Sequence, residues 1–294
     1  MRQRRCMEWM QLANKLIRRT LVSTGVSSET ARINGVEVHY YRAKGTGSGP
    51  PLFLVHGLGS SANAFFRTIA PLAKKFSEVY AIDLPGNGFS PVPSAGPMAL
   101  RSYVELLVHF RRQVIGKKVF LLGNSLGGGM ALNFAFHEPE GLEALGLVSP
   151  AGARVSEERF AALLKSFSVH DVKEARALAH KLFAKPSLGM LLFADELRKM
   201  VSTETVKAIV KEASPADLVA PEDVAKLKMP VLLIWGQREK LLPYEGLDFF
   251  RACLPPHSEI HEVEQFGHMP QIEHPRHFVE RIERFARNQR LVTA

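Results

Sequence analysis

The stretch LLGNSLGGGMALNFAF, residues 121–136, sets a continuous apolar run against an alanine-rich amphipathic run, with one serine between them. The first run suits a buried strand and the second a helix, so Ser125 falls at their junction. Gly123 and Gly127 stand two residues to either side. On so tight a turn, a side chain at either position would collide with the neighbouring strand or helix. The helix starts at the serine, and its first N–H groups have no partner within the helix. They are therefore free to face a reacting centre. The pattern G-x-S-x-G is weak on its own, because glycine and serine are common. A strand before it and a helix after it give it weight.

Apolar runs recur on both sides of this stretch. After the turn signal Asn34-Gly35 comes VEVHYYR (36–42), followed by LFLVHG (52–57) and VYAIDLPG (79–86). Beyond the serine come LEALGLVSP (142–150), VLLIWG (231–236) and SEIHEVEQ (258–265). Helical patterns fill residues 62–76, 100–115 and 126–137. Near-continuous apolar strands alternating with helices predict an α/β fold: a mostly parallel central sheet with helices on both faces. This core is expected to span residues 31–150 and 230–294. In such sheets the chemistry lies at the strand carboxyl ends. Residues 151–229 break the rhythm. They hold helical patterns at 157–167, 172–183, 188–200 and 203–213, and no convincing strand. An excursion this long is not a simple loop. It is expected to be a helical lid inserted over the carboxyl edge, and its Leu, Phe, Met and Ala content suits an apolar acyl or aromatic group.

The chain has 294 residues, 46% hydrophobic and 23% charged, which fits an ordinary globular protein. The two cysteines, Cys6 and Cys253, are far apart and have no metal-ligand spacing. They are expected to be free thiols in a reducing, cytoplasmic compartment. The net charge is +9. Part of it is local: residues 1–30 carry Arg2, Arg4, Arg5, Lys15, Arg18 and Arg19 against Glu8 and Glu29. The rest of the chain has no dense basic tract and no nucleic-acid motif, so nucleic acid is not an expected partner. Residues 1–30 are predicted to form an amphipathic helical segment. At about 100° per residue, Trp9, Met10, Leu12, Ala13, Leu16, Ile17 and Leu21 share one half of the wheel. Gln11, Asn14, Lys15, Arg18 and Arg19 share the other. Two seats stay open for it: the protein's own body, or a membrane surface contacted through residues 1–25.

A serine nucleophile needs a base and an acid that orients it. His268, in EQFGHMPQIEHP, follows a Phe-Gly break just past the final strand run. It is the candidate base; His257, His261, His274 and His277 read as solvent-facing or helix-cap residues. Glu239, in WGQREKLLP after the preceding strand run, is the candidate acid. The order Ser125, Glu239, His268 is the nucleophile–acid–base order of this architecture. Asp217 and Asp223 compete, but SPAD and APEDV look like helix starts. No acid stands at the end of 142–150. The oxyanion hole is expected to use the N–H of Leu126 with that of Leu58, Gly59 being the second choice. His56 is expected to order the loop after 52–57 through hydrogen bonds. The reaction implies no metal and no organic cofactor.

With these residues the chain resembles the alpha/beta-hydrolase fold superfamily. The matching pieces are VHGLGSS (55–61), AIDLPGNGFS (81–90), GNSLGGGMALNFA (123–135), WGQREKLLP (235–243) and GHMPQIEHP (267–275). The resemblance implies serine-type hydrolysis and a loop-shaping role for Asp83 and Ser90. GNSLGG…ALNFA is most similar to carbon–carbon hydrolases of meta-ring-fission products, which implies Asn124 as a substrate contact. Gly59 and Met269 are also expected to contact substrate. HGLGSS equally resembles lipases, esterases and thioesterases. The leading expectation is cleavage of a carboxylic ester or related acyl bond through an acyl-enzyme. Its rivals are a carbon–carbon hydrolase, a lipid acyltransferase or membrane-bound lipase, and a ligand-binding relative with little turnover.

Overall fold

The computed structural model describes residues 2–293, with side chains from residue 12 onward. Eight strands form one sheet: β1 (Ser27–Ile33), β2 (Val36–Lys44), β3 (Leu52–Val55), β4 (Glu78–Ile82), β5 (Val119–Asn124), β6 (Leu142–Val148), β7 (Val231–Gly236) and β8 (Glu259–Val263). Their spatial order is β1-β2-β4-β3-β5-β6-β7-β8. β2 runs antiparallel to β1 and β4; every other pairing is parallel. The chain leaves β3 for β4 on one side and then returns to place β5 on the other. The strand order therefore reverses between β3 and β5, which opens a crevice at their carboxyl ends.

The sheet is buried on both faces, and period-2 alternation divides each strand between them. Phe53, Val55, Val119, Leu121, Leu145, Leu147, Val231 and Leu233 enter one apolar cluster. Leu52, Leu54, Phe120, Leu122, Ala144, Val148, Leu232 and Ile234 enter the other. Double-sided burial explains why these strands read as unbroken apolar runs.

The helices around the sheet are α1 (Arg2–Ser23), α2 (Ile69–Ala73), α3 (Leu100–Phe110) and α4 (Leu126–His137). The stretch between β6 and β7 contains α5 (Glu157–Lys165), α6 (Val172–Leu182), α7 (Leu188–Leu192), α8 (Ala194–Val201), α9 (Glu204–Glu212) and α10 (Pro221–Ala225). Past β7 lie α11 (Glu245–Cys253), α12 (Pro270–Glu273) and α13 (Pro275–Asn288). The insertion follows the sequence pattern closely, and Ser156, Asp171, Ser187 and Thr203 cap α5, α6, α7 and α9 through their side chains.

Two expectations need correction, and the open seat of α1 is partly filled. The helix expected over 62–76 is a 3-10 turn, Ala62–Phe65, followed by the five-residue α2. Pro71 lacks an N–H and fits only the first turn of a helix, so the helix restarts at Ile69. The helical segment expected over 1–30 ends at Ser23, because Ser27–Ile33 is the edge strand β1. It forms a hairpin with β2 through Asn34 and Gly35, whose φ values of 49° and 86° suit an Asn-Gly turn. Finally, the apolar half of the α1 wheel is divided. Leu21 is buried and Ile17 packs on the core, while Leu12 and Leu16 face outward. Two polar residues help seat the helix: Asn14 Oδ1 accepts from Asn63 Nδ2 at 2.9 Å, and the Arg18 guanidinium lies 5.2 Å from the Phe89 ring centre. The side chains of Cys6, Trp9, Met10 and Gln11 lie outside the described residues. Cys253 is free and buried.

Candidate active site

Ser125 sits between β5 and α4 with φ 56° and ψ −122°, a conformation an L-residue adopts only under constraint. The constraint is visible. The Ser125 N–H donates to Val148 O at 2.9 Å. Its carbonyl accepts from Gly128 N, Gly129 N and Ala151 N at 2.8, 3.1 and 2.9 Å. The flanking glycines are required by contact: a Cβ on Gly123 would lie 2.1 Å from Gly127 O, and one on Gly127 would lie 2.5 Å from both Val55 O and His56 O.

Gly57, in the loop after β3, closely approaches the serine. A Cβ there would come within 3.0 Å of Ser125 Cβ. The two loops expected to supply the oxyanion donors therefore meet at the crevice where the strand order reverses. Leu126 is the first residue of α4, so its N–H has no intrahelical acceptor. Leu58 lies in the other loop and, like Leu126, lines the same cavity as Ser125.

His268 and Glu239 come from the loops after β8 and β7 and meet as a buried pair, Nδ1 donating to Oε2 at 2.7 Å. The other carboxylate oxygen, Oε1, accepts from Leu241 N at 2.8 Å and Leu242 N at 3.1 Å. Burial works against the carboxylate. His268 beside it, with the N–H groups of Leu242 and Leu241, outweighs burial and holds the Glu239 pKa below the ordinary glutamate value. Glu239 is thus an ionised acceptor that fixes the proton on Nδ1 and leaves Nε2 free to accept. Among the described residues Ser125 Oγ and His268 Nε2 make no hydrogen bond to each other, a looseness common in nucleophile–base pairs without substrate.

Asn124 has a different occupation from the substrate contact expected of it. It is buried, and its amide donates to Val148 O at 3.1 Å and to His268 O at 3.0 Å, while Oδ1 accepts from Gln271 Nε2 at 3.1 Å. These bonds tie the residue before the serine to the backbone of the histidine. Gly59 and Met269, like His268 and Glu239, are not among the residues lining the cavity described below. Gly59 is enclosed by α8 and α9, where a Cβ would touch Met200 O, Val201 and Val206 at 3.4 Å. Met269 joins the apolar cluster of the insertion. Gln271 and the Leu241 and Leu242 N–H groups escape a reading of the sequence; nothing in their spacing marks them.

The neighbouring loop behaves as its motif implies. His56 Nδ1–H donates to Gly57 O at 2.8 Å, and Nε2 accepts from Leu84 N at 3.0 Å. Its burial lowers its pKa and favours this neutral form. Asp83 accepts from Ala62 N, Phe89 N and His39 Nδ1, and Ser90 Oγ donates to Asp83 O. Asp217 closes a capping box with Ser214, and Asp223 lies in the first turn of α10, so both rival acids serve helix starts.

A cavity of about 920 Å³ is lined by Ser125, Leu58 and Leu126 together with Phe160, Leu163, Phe167, Ile209 and Val219 of the insertion. Core loops and inserted helices thus share one chamber, of a size suited to a small organic substrate.

The mostly parallel eight-stranded sheet, with its helices and a serine at the strand-to-helix elbow, defines an α/β hydrolase. A sequence model of the Hydrolase_4 family, described as serine aminopeptidase, S33, matches residues 50–275, and the chain belongs to that family. An uncharacterized protein of Mycobacterium tuberculosis is 28% identical over 272 residues, covering 84% of this chain and 79% of its own. The 2-hydroxy-6-oxo-2,4-heptadienoate hydrolase of Pseudomonas putida is 26% identical, covering 89% of this chain and 98% of its own. Among solved structures, a bacterial membrane phospholipase A shares the fold with a TM-score of 0.81 and 24% identity, covering 97% of this chain and 92% of its own.

Proposed function

We propose that the protein is a lidded serine hydrolase that cleaves a carboxylic ester or related acyl bond of an apolar substrate. The observation that carries this reading is the buried Glu239–His268 pair, set at the same sheet edge as a strained Ser125 that faces a largely apolar cavity. Ser125 Oγ attacks the carbonyl carbon while His268 Nε2 takes its proton. The Leu58 and Leu126 N–H groups receive the charge that develops on the carbonyl oxygen. His268 then protonates the leaving group. Water, deprotonated by the same imidazole, releases the acid from the acyl-enzyme. Glu239 holds the imidazole in the accepting tautomer and stabilises its charged form. Residues 151–229 serve as the lid whose apolar side chains receive the acyl or aromatic part of the substrate.

The test is fluorophosphonate labelling of wild type, Ser125→Ala and His268→Ala, followed by a chain-length panel of esters and thioesters. Labelling of Ser125→Ala as fast as wild type would sink the reading.

The full-length match to the Pseudomonas putida hydrolase supports a second reading, a carbon–carbon hydrolase using the same serine and histidine. Turnover of a vinylogous diketone with little action on nitrophenyl esters would select it. Exposed Leu12 and Leu16, beside Lys15 and Arg19 on α1, support peripheral contact with an anionic membrane surface. Replacing both leucines by serine should release the protein from anionic vesicles while α1 stays seated through Ile17 and Leu21; unchanged vesicle binding speaks against it.

A further inference from the structure

Glu273 is a half-buried carboxylate with no part in the proposed chemistry. It ends the short α12, five residues beyond His268. Its Oε1 accepts the N–H of Ala184 at 2.8 Å and that of Lys185 at 3.4 Å, both in the segment joining α6 to α7. Its Oε2 is buried and makes no well-formed hydrogen bond among the described residues, although the Gly267 N–H stands near enough to favour the charged carboxylate. That oxygen lies against Gly267: a Cβ added at Gly267 would stand 2.6 Å from Oε2 and 2.5 Å from Ala184 N. The backbone of the insertion thus rests directly on the residue that precedes His268.

The same segment is gripped from the other catalytic loop. Lys240, which directly follows Glu239, donates from Nζ to Ala184 O at 3.1 Å. Phe183 shares an apolar cluster with Leu241 and Met269, one from each loop. The N–H and C=O of Ala184 are therefore held by side chains from the two loops that carry the His268–Glu239 pair. A carboxylate is a costly choice for this place. Burial raises its pKa despite the N–H groups of Lys185, Ala184 and Gly267 and the nearby His274.

We propose that Glu273 is a positioning residue: with Lys240 it clamps the Ala184–Lys185 backbone against Gly267 and so fixes the placement of His268 relative to Ser125. The lid is then part of the scaffold that holds the base, as well as a wall of the cavity. The Glu273 carboxylate is turned to the Ala184 and Lys185 N–H groups, so it acts through the backbone beside the histidine and not on the substrate. This rests on the serine-hydrolase reading.

The experiment compares ester kinetics, the rate of fluorophosphonate labelling and the melting temperature of Glu273→Ala, Glu273→Gln, Lys240→Ala and the Glu273→Ala/Lys240→Ala double variant. A misplacement of about 1 Å at a reacting group costs up to about 100-fold. Glu273→Ala should lower kcat and the labelling rate about 30-fold, with KM within about twofold, on the same reasoning. Glu273→Gln keeps an oxygen for the two N–H groups and should recover most of the loss. Lys240→Ala should lower kcat by about fivefold, and the double variant should lose less than the product of the single losses because the clamp is shared. A Glu273→Ala protein with a lowered melting temperature but unchanged kcat and labelling rate overturns the proposal, as does a rise in KM alone. Should that variant not fold, Lys240→Ala decides, since its side chain is exposed; wild-type kcat and labelling there overturn the clamp. If the wild type itself neither labels nor cleaves esters, the serine-hydrolase reading is what fails.

Discussion

Glu239→Gln tests the Glu239–His268 pair most sharply, because the structure dictates how the new amide must sit. Oε1 of Glu239 faces two backbone N–H donors, from Leu241 and Leu242, and only Oε2 faces the imidazole. A glutamine can keep its oxygen on the two donors, which turns its NH2 group toward His268 Nδ1. Nδ1 must then accept, so the imidazole proton moves to Nε2, the atom that has to take the Ser125 proton. The opposite orientation sets NH2 against both N–H groups. It strands two buried donors at about 1–3 kcal/mol each, or about 2–6 kcal/mol together. The unproductive tautomer therefore dominates. The parallel Asp-to-Asn change in a serine-protease triad costs about 10⁴ in kcat, so a loss of similar size is expected here, about 5.5 kcal/mol of barrier. Glu239 does not line the cavity, so KM should stay within about threefold. The assay is steady-state hydrolysis of a short nitrophenyl ester, with active-site titration to count competent protein. A kcat within about tenfold of wild type would refute the tautomer argument and with it the role given to Glu239.

Ser125→Gly should abolish probe labelling and raise the melting temperature by about 2–4 °C, since glycine relieves about 1 kcal/mol of strain at φ 56°; a lower melting temperature would count against strain at the elbow. Gly127→Ala drives a Cβ to 2.5 Å from two carbonyl oxygens, and should give insoluble protein or a melting temperature lower by about 5 °C or more, read by calorimetry. The depressed Glu239 pKa gives stability that is fully present above the ordinary value of 4.5 and is lost as pH falls through the lower folded value. The urea midpoint of wild type should accordingly exceed that of Glu239→Gln at pH 7, with the gap closing below pH 4.5; a gap that widens in acid contradicts the sign. Leu163→Trp fills part of the cavity and should move the preferred acyl chain to shorter lengths, measured on an ester panel; an unchanged preference would place the acyl group elsewhere.

The strands of the central sheet are legible because burial on both faces leaves an unbroken apolar signature, as in VFLLGN and VLLIWG. β1 is not, because it is an edge strand whose sequence, SSETARI, is mostly half-buried or exposed. The Asn34-Gly35 turn is visible in the sequence, but the pairing with β2 that makes β1 a strand is a tertiary fact. The broken helix after β3 shows a similar limit: the apolar spacing over 62–76 suits a helix, and the position of Pro71 overrides it. For α1 the wheel finds the amphipathic character but not the docked side. The seat is a mixed one, made by Asn14 and Arg18 as well as Ile17 and Leu21.

The site divides in the same way. Ser125, Glu239 and His268 can be picked out as candidates because each side chain must stand at a strand's carboxyl end, and strand ends are visible in sequence. Their supports cannot, because those bonds join residues far apart in the chain: Gln271 reaches Asn124 across 147 positions, and Glu273 reaches Ala184 across 89. At Asn124 this difference bears directly on function. Family resemblance offers it as a contact for the substrate of a carbon–carbon hydrolase. In this chain its amide already makes three hydrogen bonds, one of them to the backbone of His268. To donate an N–H to a substrate it would have to release Val148 O or His268 O, leaving a buried group unpaired at a cost of about 1–3 kcal/mol. A substrate that needs only a nucleophile, a base and an oxyanion site does not ask for that sacrifice. An ester or thioester is such a substrate, so the bonding of Asn124 supports the proposed acyl cleavage over carbon–carbon cleavage.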